Sequence, residues 1–131
     1  MDAFDADVLI YAAAADHELG RRVRALFATR PIAGIGSVLL LPELLSKPLR
    51  EGAEDELSAL GKLLGRLELL PSDRATAELA TVLGASYGLR AADAVHLATA
   101  VAAGADRFIT NNRGDFSRSI TEVDVTYPDD L

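Results

Sequence analysis

Residues 91–103 constrain the fold more than any other stretch of this chain. They read Ala-Ala-Asp-Ala-Val-His-Leu-Ala-Thr-Ala-Val-Ala-Ala, with only Asp93, His96 and Thr99 as polar side chains and Gly104 as a stop. A helix apolar nearly all the way round has to be enclosed by other elements. An ionised carboxylate at the start of such a helix is costly unless it is paired, hydrogen-bonded or bound to metal. Asp93 is therefore either a first-turn acid satisfied by backbone amides or a ligand. The chain has 131 residues. Two separately cored halves of about 65 residues would each be marginal, so residues 1–131 are read as one domain. Half of the residues are hydrophobic and only 5% aromatic, so the core is built from small aliphatic side chains.

The rest of the chain alternates short apolar strands with helices. A strand near residues 3–5 runs into a helix from Val8 that Asp7 is placed to cap, and a second helix covers residues 18–28. A strand near residues 32–36 follows, then Ser37 as a cap and a helix over residues 38–46 in which Pro42 predicts a kink. Leu57, Leu60, Leu63 and Leu64 give residues 55–64 the spacing of an amphipathic helix. Residues 67–70 form a strand that stops at Pro71, and Ser72 or Asp73 caps a helix reaching Tyr87 and ended by Gly88. Residues 107–110 form a strand, and residues 122–127 an edge strand before Pro128. Strand and helix in alternation predict an α/β fold, a parallel sheet with helices on both faces. Ligands bind such sheets beyond the carboxyl ends of the strands.

Charge and composition exclude several functions. The net charge of −7 is the reverse of what a protein that coats nucleic acid carries. A nuclease stays open, because carboxylates can be needed to hold metal. With no cysteine there is no disulfide scaffold, thiolate zinc site or cysteine nucleophile. The longest apolar run, residues 8–15, is too short to cross a bilayer, and the start carries Asp2, Asp5 and Asp7 where a signal peptide would be positive. The expectation is a soluble cytoplasmic protein with no membrane contact.

Acids in apolar surroundings are the informative residues. Glu43 is the only charged side chain between Pro31 and Ser46, either on a solvent face of its helix or turned to a site. Asp5 lies at the end of the first strand, as a turn or cap aspartate, for which Asp7 is better placed, or as a ligand. Asp115 follows the strand at 107–110 in the loop Asn111-Asn112-Arg113-Gly114-Asp115. Together with Asp93 these acids come from four segments, three of which reach one edge of the sheet. Converging carboxylates of that kind suit a hard cation with oxygen ligands, Mg²⁺ or Mn²⁺, better than zinc. His96, one turn after Asp93, is a ligand, a proton carrier or a hydrogen-bonded core residue. His17 reads as exposed, and Arg21, Arg22 and Arg24 as a solvated face or a rim for RNA.

The segment Ala3-Phe4-Asp5-Ala6-Asp7-Val8-Leu9-Ile10-Tyr11, the lone Glu43, Leu89-Arg90-Ala91-Ala92-Asp93-Ala94-Val95-His96-Leu97-Ala98 and Phe108-Ile109-Thr110-Asn111-Asn112-Arg113-Gly114-Asp115-Phe116 resemble, in order and spacing, the PIN-domain ribonucleases. The nearest likeness is to the VapC-type toxins of bacterial toxin–antitoxin pairs, and it covers essentially the whole chain. The resemblance implies a PIN-like three-layer α/β/α fold around a mainly parallel sheet of about five short strands. It implies that Asp5, Glu43, Asp93 and Asp115 are the acidic quartet that holds one or two Mg²⁺ or Mn²⁺ ions for hydrolysis of RNA phosphodiesters. It further implies a small antitoxin partner that covers the acidic groove, and a homodimer.

Two departures from the family pattern stand out. Ala6 and Asp7 replace the Ser or Thr and the Asn or Ser of many members, which leaves room for an added carboxylate. Some members carry an acid where this chain has Asn112, so the fourth ligand lies between Asn112 and Asp115. For the substrate, Arg113 and Arg118 flank Asp115 as phosphate contacts, and Thr110 and Asn112 orient a water or a phosphate. Two rivals remain. Asp5-Ala6-Asp7-Val8-Leu9 also looks like the nucleophile motif of haloacid-dehalogenase-type phosphatases, but Lys47 and Lys62 are the only lysines and no late Gly-Asp-x-x-x-Asp follows. The other rival is a catalytically inactive PIN-like interaction module.

Overall fold

The computed structural model describes residues 1–131. Five short strands form one sheet: β1 (Asp2–Phe4), β2 (Gly34–Ser37), β3 (Leu67–Leu70), β4 (Arg107–Ile109) and β5 (Asp124–Thr126). All neighbouring pairs are parallel and the order is β3-β2-β1-β4-β5. The chain moves outward from β1 through β2 to β3 and then crosses to the other side of β1. The strand order therefore reverses between β1 and β4, the place where such sheets open a crevice at their carboxyl edge.

Helices cover both faces. Alternate residues of a strand point to opposite faces. Ala3 and Phe108 thus pack with α5 (Arg74–Tyr87) and α6 (Ala91–Ala102). Phe4 and Ile109 pack with α1 (Ala6–Ala13), α2 (Glu18–Ala25), α3 (Leu40–Glu51) and α4 (Glu54–Leu64). This is the expected three-layer PIN-like α/β/α arrangement, with the sheet parallel throughout. The central turns of α6 are enclosed: Ala94, His96, Leu97, Ala98, Thr99 and Ala100 are buried, and the Thr99 hydroxyl donates to the Val95 carbonyl. Ala91 and Ala102, at its two ends, are exposed. No helix is long and apolar enough to cross a membrane.

Local differences from expectation have local causes. The cap of α1 is Asp5, not Asp7; its carboxylate accepts from the Ala6 N–H, and Asp7 lies in the first turn. The helix after β2 starts at Leu40 because the Ser37 hydroxyl accepts from the Leu39 N–H and holds a turn before it. Pro42 is consequently in the first turn of α3, where a missing N–H breaks no helical hydrogen bond, and the interior proline of that helix is Pro48. Asp73 caps α5, Gly88 and Gly104 take the left-handed conformation past α5 and α6, and β5 is the edge strand. Gly20 is required by packing: a Cβ there would lie 1.9 Å from the Tyr11 carbonyl oxygen. The backbone of α2 thus rests directly on α1, the helix that Asp5 caps. His17 is only half-exposed: its Nδ1 accepts from the Gly20 N–H and its ring stacks on Tyr11 at 4.3 Å.

Candidate active site

The carboxyl edge is assembled from the ends of β1 and β4, whose registers pair Phe4 with Ile109. The next residues, Asp5 and Thr110, are thereby neighbours although 105 positions apart. The Thr110 hydroxyl donates to Asp5 Oδ2 at 2.8 Å, and Asp5 Oδ1 accepts from the Ala6 N–H at 2.8 Å. Both Asp5 oxygens are engaged and the side chain is buried, which ill suits the free nucleophile of the phosphatase reading. Asp7 Oδ2 accepts from the Asn111 N–H at 3.0 Å, while its Oδ1 is buried without a partner. The loop after β4 is thus tied to both aspartates of the first segment. Thr110 also accepts from the Asn112 N–H, and the Asn112 amide donates to Asp115 Oδ2 at 2.9 Å.

Glu43 enters from the first turn of α3 and Asp93 from the first turn of α6. Glu43 Oε2 lies 2.9 Å from His96 Nε2. The Asp93 carboxylate makes no hydrogen bond with the chain, so the backbone-capping alternative does not account for it.

The fields of these groups overlap. Burial raises the pKa of Asp5, and the charge of Glu43 adds to the rise against the opposing pull of His96, Thr110 and Ala6. Burial and the charges of Asp5 and Asp93 push Asp7 up to about 7. Asp93 is raised by burial, then by Asp5, Asp115 and Glu43. Burial works to lower the pKa of His96, but the hydrogen bond and charge of Glu43, with Asp5 and Asp93, outweigh it and the net shift is upward. His96 is the one countercharge acting on Asp5 and Asp93. Negative charge gathered from four segments without lysine or arginine to balance it is the electrostatic setting of a cation site.

The donor set fits Mg²⁺ or Mn²⁺ in chemistry: it is made of carboxylate oxygens, Asp93 has both of its oxygens uncommitted, and Asp7 keeps an orphaned buried one. As they lie, no three of the acidic and histidine side chains close around an ion-sized space.

The residues expected to contact substrate are placed differently from one another. Thr110 is fully buried beneath Asp5, and Asn112 braces Asp115. Arg113 and Arg118 lie over the ring of Tyr127, at 4.5 and 4.8 Å, and pair with Asp129 and Asp130 of the 3₁₀ turn Pro128–Asp130. Neither guanidinium group pairs with Asp5, Asp7, Glu43, Asp93 or Asp115. Two participants carried a weaker signal in the sequence. Asp7 is two positions from Asp5, and His96 is on the same helical face as Asp93, but which acid each would meet is not a local property.

The comparisons bear on the fold and the family. The PIN domain family matches residues 3–119, a span that includes Asp5, Glu43, Asp93 and Asp115. No significant match is found among curated proteins. Among solved structures, the chain is similar to one in a toxin–antitoxin complex from Klebsiella pneumoniae, with a TM-score of 0.78 and 22% identity over 100% of both chains. It is also similar to a chain of VapBC2 from Rickettsia felis bound to a DNA fragment from their promoter. There the TM-score is 0.74 at 20% identity, over 96% of this chain and 97% of that one. At these identities the likeness is one of fold. The family match runs through every segment that reaches the acidic crevice, and the chain belongs to the PIN-domain family.

Proposed function

We infer that this chain is a metal-dependent endoribonuclease, the VapC-type toxin of a toxin–antitoxin pair. One observation carries the reading: at the crevice where the strand order reverses, burial raises the pKa of Asp5, Asp7 and Asp93, and a neighbouring carboxylate adds to each rise, Glu43 for Asp5, Asp5 for Asp7, and Asp5, Asp115 and Glu43 for Asp93. The PIN-family match supports nuclease chemistry, and the two structural neighbours, one in a toxin–antitoxin complex and one in VapBC2, support the toxin assignment.

Asp5, Glu43, Asp93 and Asp115 would hold Mg²⁺ or Mn²⁺, with Asp7 adding charge behind Asp5. A bound ion of this kind supplies an acidified water and offsets charge on the scissile phosphate. Thr110 keeps Asp5 in one orientation and Asn112 does the same for Asp115. Arg113 and Arg118, about half exposed and paired with Asp129 and Asp130, would receive phosphates of the RNA as bidentate donors. A small antitoxin would neutralise the same acidic groove, an arginine among the carboxylates being the complementary group. A cytoplasmic homodimer is part of the same reading.

The test is cleavage of a labelled RNA and of its DNA counterpart with Mg²⁺, with Mn²⁺ and with EDTA. The expected result is metal-dependent cutting of the RNA alone. Cutting that persists in EDTA overturns the metal reading, and equal cutting of DNA overturns the RNA specificity.

A further inference from the structure

His96 and Glu43 belong to opposite layers. Glu43 comes from α3, whose Leu40 and Leu44 pack on one face of the sheet, and His96 from α6, whose Ala94 and Leu97 pack on the other. Their 2.9 Å hydrogen bond therefore spans the carboxyl edge between layers, joining residues 53 positions apart. The two ends of this bond differ in freedom. The His96 side chain is 1% exposed, enclosed by a packed helix, whereas that of Glu43 is 32% exposed. A free glutamate loses rotamer entropy when it is fixed. A hydrogen bond from a rigid, buried donor removes most of that freedom before any ligand arrives.

The ring itself has a defined polarity. His96 Nδ1 is buried and has no partner. A proton there would be a buried donor with nothing to receive it, while a proton on Nε2 meets the Glu43 carboxylate. The ring accordingly donates from Nε2 to Glu43. Only one oxygen of Glu43, Oε2, is engaged by this donor, and Oε1 stays available.

We propose that His96 is a positioning residue, holding the Glu43 carboxylate across the gap between the layers so that its second oxygen is presented to the divalent ion. The inference rests on the proposed function, since it takes Glu43 to be a ligand. His96 touches neither ion nor substrate in this role; it acts through Glu43. Partners of this kind typically change metal affinity by about 10–100-fold when removed.

The test is Mn²⁺ affinity by calorimetry for the full chain and for H96Q, H96N, E43Q and the H96N/E43Q double variant. Glutamine carries its amide nitrogen near the position of imidazole Nε2, and asparagine carries its own near Nδ1. H96Q should therefore bind Mn²⁺ within a few-fold of the parent, and H96N should lose about 10–100-fold. E43Q should lose affinity as well, and the double variant should be no weaker than E43Q. Unchanged affinity in E43Q removes Glu43 from the metal site and takes both readings with it. A weak E43Q beside an unaffected H96N overturns the positioning role alone. Loss in H96Q equal to that in H96N assigns the effect to packing of the ring and also overturns it. If H96N does not fold, the ¹⁵N shifts of His96 in the parent decide: a proton on Nε2, in the neutral or the charged ring, supports the proposal, and an Nδ1–H tautomer with bare Nε2 refutes it.

Discussion

The two ends of the central sheet treat charge in opposite ways. At the amino edge, Asp2 lies in β1 beside Arg107 of β4, and the guanidinium meets the carboxylate with two hydrogen bonds of 2.9 Å each. Asp2 in turn raises the pKa of Arg107. At the carboxyl edge the same two strands deliver Asp5 and Thr110, and no arginine or lysine answers the acids that collect there. One edge has been optimised for stability by local neutralisation. The other keeps uncompensated charge, which lowers the stability of the ligand-free protein and leaves it able to take up a cation. Opposite outcomes from neighbouring positions on the same strands are what the proposed cation site predicts.

Four measurements can break or sharpen this contrast. The largest effect is expected for Asp93→Asn, whose carboxylate has no structural hydrogen bond to lose. RNA cleavage should fall by about a hundredfold or more, the scale set by removing one group that supports developing charge, while the metal-free melting temperature stays level or rises. Cleavage at the parental rate would take Asp93 out of the chemistry.

Asp7 comes next. Its pKa is raised from 3.8 to about 7 in the fold, so the unfolded chain gives up that proton first as the pH climbs. Stability should decline between about pH 4 and pH 7, by roughly 2–4 kcal/mol once partial exposure is allowed for. Asp7→Asn should flatten that slope in urea melts of the metal-free protein. A slope of equal size in the variant would assign it to other acids.

Arg107→Gln probes the opposite edge. It leaves the mostly buried Asp2 carboxylate without its partner, at a cost of about 1–3 kcal/mol in denaturant titrations, and cleavage by the folded protein should be unaltered. A change in cleavage would mean that the two edges are coupled. The smallest effect is that of the ion itself. Mn²⁺ at ten times its dissociation constant should stabilise the parent by about 1.4 kcal/mol, with Asp93→Asn losing most of that gain.

Much of the fold was legible in the sequence because helices and strands are set by contacts within a few residues. The spacing of Leu57, Leu60, Leu63 and Leu64 predicted α4, and Asp73 and Gly88 marked both ends of α5. The misplaced features depended on detail finer than a pattern: whether Asp5 or Asp7 caps α1 is decided by where β1 ends, and Pro42 moved from the interior to the first turn when α3 began two residues later. The candidate acids drew notice because a charge in an apolar stretch is expensive wherever the chain places it.

By itself, the sequence determined the alternation of elements, the enclosure of the 91–103 helix and the identity of the carboxylates that had to be accounted for. Tertiary structure alone decided their pairing. Asp5 meets Thr110 because β1 and β4 are adjacent in parallel register, and Glu43 meets His96 because α3 and α6, packed on opposite faces, both open at the same edge. Such encounters depend on strand order and register, which join residues 53 and 105 positions apart, and no periodicity along the chain carries information over that distance.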